Sequence, residues 1–329
     1  MLEHGGNLRQ AAARFDRPLE NWLDLSAGLN PHGFPAPAIG AHAWHRLPEK
    51  DPLLAEAASR YYGAPDMLAV AGTQAAIQAL PRLRSPSRVV IAAPSYAEHA
   101  HHWSQHGHRA REVPFARLDD EIASCDVMVV CNPNNPTGAI VQREQLLAWR
   151  AQLAQRDGWL VVDEAFADVA PANSVAEMSG LPGLVVLSSI GKFFGLAGLR
   201  TGFVGAQPQL LAQLEALVGP WTVSGPAQLV ARAALCDRDW QAKMRQRLAD
   251  DGARLRAVLR DRGLATSGTD LFQWWPMNEP EPMWRHFAER GIWVRLFLQA
   301  ARGIRVGLPP NETGWQRLIK ALTEWNNQK

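Results

Sequence analysis

The sequence of 329 residues has few cysteines, no long apolar run and almost no net charge. Its three cysteines, Cys125, Cys131 and Cys236, are odd in number and are not spaced as metal ligands. They argue against a disulfide framework and predict no metal centre. No stretch reaches the roughly 18 consecutive apolar residues of a membrane-spanning helix, and the N-terminus does not resemble a secretory leader. We therefore expect a cytoplasmic protein that does not contact a membrane.

The charge and the composition narrow the class of protein further. A formal net charge of +2 gives no broad basic field, so we expect no nucleic acid partner. A hydrophobic content of 47% and a charged content of 20% are typical of a globular protein. The length suits two domains, or a large lobe and a small one.

Short apolar runs alternate with helical segments between residues 67 and 205. The runs lack polar alternation, which is typical of strands buried on both faces of a mainly parallel sheet. They occupy residues 68–71, 89–92, 127–130, 159–162, 184–187 and 203–204. The pattern predicts an α/β core with a mainly parallel, mixed sheet. In open sheets of this kind, ligands bind beyond the carboxyl ends of the strands.

The rest of the chain has a different character. After residue 206, long helical segments, one of them at residues 226–259, precede separate short apolar runs at 271–275, 292–295 and 303–306, which predicts a smaller α+β lobe. The proline-containing first 45 residues are typical of an arm that packs on another surface. We therefore expect an arm with part of a small domain at 1–45, a large domain at 46–205 and a C-terminal small domain at 206–329.

One lysine differs from the other four. Lys50, Lys243, Lys320 and Lys329 lie in polar helical or terminal contexts, whereas Lys192 lies among glycines and apolar residues. Partial desolvation favours the neutral amine, which attacks an aldehyde and forms a Schiff base. That is the chemistry of pyridoxal phosphate enzymes. Taken alone, the feature also fits an ordinary exposed lysine in a loop.

Three further residues follow predicted strands and suit the same cofactor. A buried carboxylate at Asp163 would keep a proton on the pyridine nitrogen, although a strand-end aspartate also serves as a helix cap or a metal ligand. Asn135 lies in the turn CNPNNPTG at 131–138, which can present its amide to the phenolic oxygen. Turn chemistry alone explains the same residues. Tyr96 is either a ring that stacks on the pyridine or a half-buried aromatic residue.

The sequence also predicts a phosphate site. Thr73 and Gln74 open a helix directly after a strand, and backbone N–H groups at a helix start attract anions. A threonine at that position also occurs in helices without a ligand. Ser189 and Arg200 lie on either side of Lys192 and could complete the site, with the arginine supplying a charge-assisted pair of hydrogen bonds.

Together these residues resemble fold-type I pyridoxal phosphate enzymes of the aspartate aminotransferase superfamily, over most of the chain. The resemblance implies that Lys192 carries the cofactor, that Asp163 contacts its ring nitrogen and that Asn135 contacts its phenolic oxygen. It assigns ring stacking to Tyr96 and binding of the substrate carboxylate to Arg305. The phosphate group of pyridoxal 5'-phosphate is assigned to Thr73, Gln74, Ser189 and Arg200, within the predicted large domain.

Two branches of that superfamily are similar to this chain. Histidinol-phosphate aminotransferases share the string GLAGLR at residues 195–200. Three features are more similar to the threonine-phosphate decarboxylases of cobalamin biosynthesis, which form (R)-1-amino-2-propanol O-2-phosphate. They are the opening segments at 4–7 and 25–33, Phe166 where aminotransferases commonly have a tyrosine, and the segment at 305–309. Decarboxylation of L-threonine O-3-phosphate is therefore expected.

Two other functions compete with that expectation. The first is transamination of a phosphorylated substrate such as histidinol phosphate. The second is a non-catalytic regulator that binds pyridoxal phosphate, but a basic recognition helix for DNA is missing from the sequence. The cofactor residues alone do not decide between decarboxylation and transamination.

A phosphorylated substrate needs a cationic or amide site of its own. Besides Arg305, the candidates are Asn30 and four residues of the arm, namely His4, Gly5, Gly6 and Asn7. For His4 the alternative is a disordered terminus.

The resemblance also implies a homodimer, with the cofactor site at the subunit boundary. Leu47 stands where many relatives have a tyrosine that reaches the partner's cofactor phosphate, and a leucine cannot donate a hydrogen bond. Gly28 stands where relatives often have asparagine. A synthetase of the cobalamin pathway is a candidate recipient of the product.

Overall fold

The computed structural model describes residues 5–299 and 301–327. Its strands, numbered in chain order, are β1 (Leu23–Asp24), β2 (Met67–Val70), β3 (Arg88–Ala93), β4 (Arg109–Pro114), β5 (Val127–Cys131), β6 (Trp159–Asp163), β7 (Leu184–Ser189), β8 (Gly202–Gly205), β9 (Ser267–Thr269), β10 (Phe272–Pro276), β11 (Ile292–Trp293), β12 (Arg295–Leu298) and β13 (Arg302–Gly307).

The α-helices are α1 (Leu8–Arg14), α2 (His42–His45), α3 (Pro52–Tyr62), α4 (Thr73–Ala79), α5 (Ala97–Gln105), α6 (Leu118–Glu121), α7 (Arg143–Ala154), α8 (Pro208–Val218), α9 (Gly225–Cys236), α10 (Arg238–Arg260), α11 (Glu281–Glu289) and α12 (Glu312–Asn326). Among the described residues, none of these helices has the length and the apolar character needed to cross a membrane.

The chain divides into two compact units. The first, called the large unit, comprises Gly33–Asn135 and Ala139–Ala242. The second, called the small unit, comprises Met1–His32, Pro136–Gly138 and Lys243–Lys329. The domain boundaries expected from the sequence stay a prediction.

The large unit is built on a mixed sheet whose described strands have the order β2-β8-β7-β6-β5-β3-β4. Strands β4, β3, β5, β6 and β7 are parallel to one another, and β8 is antiparallel to both β7 and β2. The central strands β5 and β7 are buried at every position, which explains their unbroken apolar runs. The predicted α/β class is confirmed.

Strand β4, at Arg109–Pro114, was not predicted from the sequence. It lies at the edge of the sheet beside β3, and most of its residues are exposed. An edge strand with a solvated face carries no continuous apolar run. The apolar pattern that reveals the central strands therefore does not reveal this one.

One predicted helical segment is two helices. The segment at 226–259 is divided between α9 and α10 at Asp237. The Asp237 carboxylate accepts a hydrogen bond of 3.0 Å from the backbone N–H of Trp240, as an N-cap does. A side chain that caps a new helix start favours a break over continuation.

The small unit contains an antiparallel sheet of order β12-β13-β10-β9 and a parallel pair of β1 with β11. The apolar run at 292–295 is divided between these two sheets, because β11 pairs with β1 and β12 pairs with β13. A cluster of edge-to-face aromatic rings packs beside β11. Its members are Phe15, Trp22, Trp284 and Trp293.

Candidate active site

A cavity in the large unit lies where β2, β3, β5, β6 and β7 end. Because these strands run in the same direction, the loops that follow them meet at one edge of the sheet. The cavity is lined by all eight residues that the sequence assigned to the cofactor, namely Thr73, Gln74, Tyr96, Asn135, Asp163, Ser189, Lys192 and Arg200. The fold therefore brings these residues together, and their individual roles stay predictions.

Lys192 lies in the loop after β7 and lines the cavity together with Phe166. Its Nζ is 5.3 Å from the centroid of the Phe166 ring. The next two residues, Phe193 and Phe194, are fully buried. They anchor the loop in the core, so the amine is held at a defined position in the cavity wall.

Asp163, the last residue of β6, has both carboxylate oxygens occupied. Oδ1 accepts a hydrogen bond of 3.0 Å from the backbone N–H of Ala165, and Oδ2 lies 3.0 Å from Nε2 of His99. Burial alone would lower the pKa of the His99 imidazole, but hydrogen bonds with Asp163 and Cys131 outweigh that effect and raise its pKa to about 10. At neutral pH the raised pKa keeps a proton on the His99 imidazole.

The sequence analysis did not single out His99. Its signal is its spacing, because it follows Tyr96 by three residues at the start of α5. Residues three apart lie on one face of a helix. A residue on the face that presents Tyr96 to the cavity is thus expected near the site, but its contact with Asp163 depends on the fold.

The turn after β5 contains three asparagines with different surroundings. The Asn132 amide exchanges two hydrogen bonds with the backbone of Val141, at 2.9 Å and 3.0 Å. The Asn134 amide donates to the backbone oxygen of Pro94 at 2.8 Å. These two side chains fix the turn, and Asn135 is the asparagine of the three that lines the cavity.

A cationic and hydroxyl-rich corner of the cavity surrounds Gly72. Gly72 has φ +72°, and a Cβ there would lie 2.9 Å from Nη2 of Arg200. A Cβ at Gly202 would lie 2.7 Å from the backbone nitrogen of Thr73, and Gly202 pairs with Ser189 across β7 and β8. The close approach that both glycines permit brings Arg200, Thr73 and Ser189 into one corner, which suits a phosphate group.

The side-chain amide of Gln74 is hydrogen-bonded to other protein residues and is not directed at the phosphate site. Its Oε1 accepts a hydrogen bond of 3.2 Å from the Tyr96 hydroxyl, and its Nε2 donates one of 2.6 Å to Glu98. His102 contacts the same Glu98 oxygen at 3.0 Å. Burial, followed by the charges of Glu98 and Asp163, raises the pKa of Tyr96, so its hydroxyl remains a donor. Any contribution of Gln74 to a phosphate site would come from its backbone N–H.

The predicted substrate residues of the N-terminal arm belong to the small unit, and His4 lies outside the described residues. The backbone N–H of Gly6 donates a hydrogen bond of 2.7 Å to Ser26 Oγ. A Cβ at Gly5 would lie 2.8 Å from the backbone oxygen of Ser26. Asn7 hydrogen-bonds the exposed Gln10 at 2.7 Å. The buried Asn30 accepts a hydrogen bond of 2.8 Å from the backbone of His32.

Arg305 lies on β13, where it is 5% exposed, and donates a hydrogen bond of 2.6 Å to the Ser26 backbone oxygen. Ser26 thus contacts both the arm and Arg305. Burial first, and the neighbouring Arg295 second, lower the pKa of Arg305 to about 9, against the opposing effect of Asp24. Gly28, which the sequence noted as a departure, has φ +60° and approaches Arg305 and Phe272.

Arg295 was missed by the sequence analysis as a site residue. It is the register partner of Arg305 across β12 and β13. Directly opposed residues of an antiparallel pair lie on the same face of the sheet, and like charges there are destabilising. A pair of guanidinium groups on one sheet face is typical of a site for anions. Only the strand register reveals the pair, because the two arginines are ten positions apart in the sequence.

Leu47, the other departure noted in the sequence, is 66% exposed in the large unit. Trp44 and Trp221 are exposed at 63% and 60%.

Comparison with known proteins gives consistent results. A family model described as aminotransferase class I and II matches residues 21–322. The chain is 50% identical over 323 residues to a threonine-phosphate decarboxylase of Pseudomonas aeruginosa, covering 98% of this chain and 97% of that protein. It is 41% identical over 328 residues to a threonine-phosphate decarboxylase of Sinorhizobium sp, with coverages of 98% and 97%.

A solved structure is similar in fold. It is the histidinol-phosphate aminotransferase of Sinorhizobium meliloti in complex with pyridoxal-5'-phosphate, with a TM-score of 0.84 and 23% identity. The match covers 99% of this chain and 96% of that one. At this identity the likeness establishes the fold alone. The family match over residues 21–322, with the relatives at 50% and 41% identity, shows that this chain belongs to the aminotransferase class I and II family.

Proposed function

We propose that this chain is a lyase that uses pyridoxal 5'-phosphate to decarboxylate L-threonine O-3-phosphate to (R)-1-amino-2-propanol O-2-phosphate. The observation that carries the proposal is the 50% identity, over 98% of the chain, to a threonine-phosphate decarboxylase. The second relative with that name, at 41% identity over 98% of the chain, supports it.

The residues of the cavity fit the proposed cofactor. The corner at Gly72, which a Cβ would fill, combines the Arg200 guanidinium with the hydroxyls of Thr73 and Ser189, as a phosphate requires. The Lys192 amine suits an aldehyde. When bound, pyridoxal phosphate supplies an electron sink for the charge left at the substrate Cα.

The chain's own groups then have distinct tasks. The Asp163 carboxylate, oriented by Ala165 and His99, would hold a proton on the ring nitrogen. Asn135 would donate to the phenolic oxygen, and the Tyr96 ring would cover one face of the cofactor. Loss of carbon dioxide leaves Cα in need of one proton. The Lys192 side chain, fixed by the buried Phe193 and Phe194, is the proposed donor of that proton in its protonated, ammonium form.

The substrate carries two anionic groups, a carboxylate and a phosphate. We assign them to the paired guanidinium groups of Arg305 and Arg295 in the small unit, which share one face of β12 and β13. Planar guanidinium groups bind both kinds of anion in a bidentate manner. The contact of Ser26 with both Arg305 and Gly6 supports a role for the arm beside the same arginine.

Incubation of the purified protein with L-threonine O-3-phosphate and pyridoxal phosphate tests the proposal. We expect release of carbon dioxide in amounts equal to the amine phosphate formed, and loss of both in Lys192→Ala. The second candidate is an aminotransferase for histidinol phosphate, which the string GLAGLR at 195–200 favours. Formation of glutamate from 2-oxoglutarate with histidinol phosphate, without carbon dioxide from threonine phosphate, would favour that candidate and contradict ours.

Three finer statements belong to the same proposal. We propose that the reaction belongs to cobalamin biosynthesis, that a synthetase receives the product, and that the protein is cytoplasmic.

We also propose a homodimer, supported by the exposed Trp44, Leu47 and Trp221. A groove of about 730 Å³ between α3 and α8, lined in part by Trp221, adds recessed surface for a second copy. Light scattering of the purified protein should give twice the mass of one chain, and Trp221→Ser should shift it toward the monomer.

A further inference from the structure

Three potential metal ligands lie close together, and two of them line the cavity. They are the His99 imidazole, the Cys131 thiol and the Asp163 carboxylate, whose ligand atoms all lie within 4.8 Å of one another. The residues are 1%, 4% and 5% exposed. We infer that, when the organic cofactor is absent, these three residues bind a divalent transition metal ion of the zinc type.

The backbone holds two of the ligands in register. Cys131 and Asp163 are direct partners across the parallel strands β5 and β6. The backbone N–H of Asn132 donates to the Asp163 backbone oxygen at 2.8 Å, which continues the ladder past the end of β5. The two side chains therefore emerge side by side on one face of the sheet, before any ion binds.

The third ligand approaches from a helix. His99, on α5, lies with Nε2 3.0 Å from Oδ2 of Asp163, whose other oxygen is occupied by the Ala165 backbone N–H. One carboxylate oxygen, one imidazole nitrogen and one sulfur thus lie within 4.8 Å of one another. Tetrahedral metal–ligand bonds of about 2.0–2.3 Å need only small side-chain movements from this arrangement.

The donor set selects the class of metal. Imidazole, thiolate and carboxylate are the ligands of zinc and its neighbours, whereas calcium and magnesium prefer oxygen ligands throughout. Three protein ligands leave a fourth position, and the adjoining cavity, lined by Cys131 and Asp163, has a volume of about 130 Å³, ample for a water molecule. Binding displaces one proton from the thiol and the proton that His99 and Asp163 share.

Metal and cofactor would exclude each other. A cation bound to the Asp163 carboxylate neutralises the charge that would hold a proton on the pyridine nitrogen, so the metal should occupy the unloaded protein and delay its loading. This competition rests on the proposed function. Metal binding itself does not, because it depends only on the three side chains.

Cobalt(II) is the probe for the experiment, because its spectrum reports ligand type and geometry. Pyridoxal phosphate is first removed from the full chain, and circular dichroism verifies that the protein remains folded. The protein is then titrated with Co²⁺. We expect one ion per chain, a near-ultraviolet band from thiolate-to-cobalt charge transfer, strong visible bands of tetrahedral cobalt, and displacement by Zn²⁺. Cys131→Ser should abolish the near-ultraviolet band and weaken binding about tenfold or more. Cys236→Ser, which changes an exposed cysteine, should alter neither.

A second variant guards against misfolding of the first. His99→Asn should weaken Co²⁺ binding about tenfold or more and keep the thiolate band. Absence of that band in the unmodified protein, or its persistence in Cys131→Ser, overturns the metal site.

Addition of pyridoxal phosphate should remove the cobalt spectrum in proportion to the cofactor bound. Simultaneous full occupancy by both would overturn the exclusion. If the protein never binds pyridoxal phosphate, the proposed function fails while the cobalt titration still decides the metal site.

Discussion

Nε2 of His99 lies 3.0 Å from Oδ2 of Asp163, and both side chains are buried. The two residues are 64 positions apart and join helix α5 to the end of strand β6. The raised pKa of His99, about 10, means that the pair carries a proton throughout the neutral range. The same contact therefore stabilises the fold and orients the carboxylate that we assign to the cofactor ring.

Replacing this histidine should change how stability depends on pH. The pKa of His99 in the folded protein, about 10, is above its ordinary value of 6.5. The stabilisation from the bound proton is thus fully present below pH 6.5 and is lost as the pH rises toward 10. His99→Asn should therefore lower the free energy of unfolding on the order of a few kcal/mol near pH 6, and less as the pH approaches 10.

Chemical denaturation at a series of pH values measures this difference. His101→Asn, an exposed position on the same helix, is the control and should leave the wild-type pH dependence unchanged. A His99→Asn deficit that stays constant from pH 6 to pH 10 would contradict the assignment.

Some of the site could be predicted from the sequence because of strand direction. Thr73, Asp163 and Lys192 each follow a buried apolar run, and parallel strands end at the same edge of a sheet. Strand direction alone therefore predicts that these three residues lie near one another, without knowledge of any tertiary contact.

Other features depend on tertiary structure and left no local signal. The Arg295–Arg305 pair follows from the register of two strands, and the His99–Asp163 contact follows from how α5 packs on the sheet. The direction of the Gln74 side chain depends on Glu98, a residue 24 positions away that the sequence did not connect with it. The local secondary-structure propensity of a segment does not reveal which polar side chain a half-buried amide will contact in the folded protein.

Glu164 provides a second test, in a more acidic pH range. Burial raises its pKa to about 7, although hydrogen bonds from Ser174 and Val175 oppose the rise. Between pH 4.5 and 7 the unfolded chain loses this proton while the folded chain keeps it, so folding becomes less favourable as the pH rises. In Glu164→Gln the amide oxygen can still accept from the Val175 backbone N–H, and the amide NH₂ can donate to the Ser174 hydroxyl, which reverses that hydrogen bond. Its stability relative to wild type should improve on the order of a few kcal/mol between pH 4.5 and 7.

Denaturant titrations at pH 4.5, 5.5 and 7 follow that change. Glu144→Gln, at an exposed position of α7, is the matched control and should show no comparable gain. An equal stability difference between Glu164→Gln and wild type at all three pH values would show that the carboxylate does not titrate in this range.

Gly72→Ala should weaken binding of pyridoxal phosphate. The new Cβ would lie 2.9 Å from Nη2 of Arg200, and φ of +72° is strained for any residue with a side chain. If displacement of Arg200 costs about 1–3 kcal/mol of binding free energy, the Kd should rise roughly 5- to 150-fold. Quenching of tryptophan fluorescence by pyridoxal phosphate measures the Kd. Gly198 lies two residues before Arg200, and a Cβ there would have no atom within 4 Å. Gly198→Ala is therefore the control and should bind pyridoxal phosphate as wild type does. Equal Kd values for the two variants would remove Arg200 and Gly72 from the phosphate site.

Arg295→Gln should move stability and substrate binding in opposite directions. In the substrate-free protein Arg295 opposes Arg305 across β12 and β13, and its charge lowers the pKa of that arginine. Removing a directly opposed like charge should raise the free energy of unfolding by roughly 0.2–1 kcal/mol. The same change removes a charged partner for the substrate phosphate.

The KM for threonine phosphate should rise about tenfold or more in Arg295→Gln, with a smaller change in kcat, because a contact made before and during the reaction contributes mainly to binding. Arg302→Gln is the control, because Arg302 lies exposed at the start of β13 and is paired in register with Leu298 rather than with an arginine. If the two arginines form an anion site, Arg295→Gln should raise the free energy of unfolding and also raise the KM. Two arginines placed together for structural reasons alone would instead give a loss of stability and an unchanged KM.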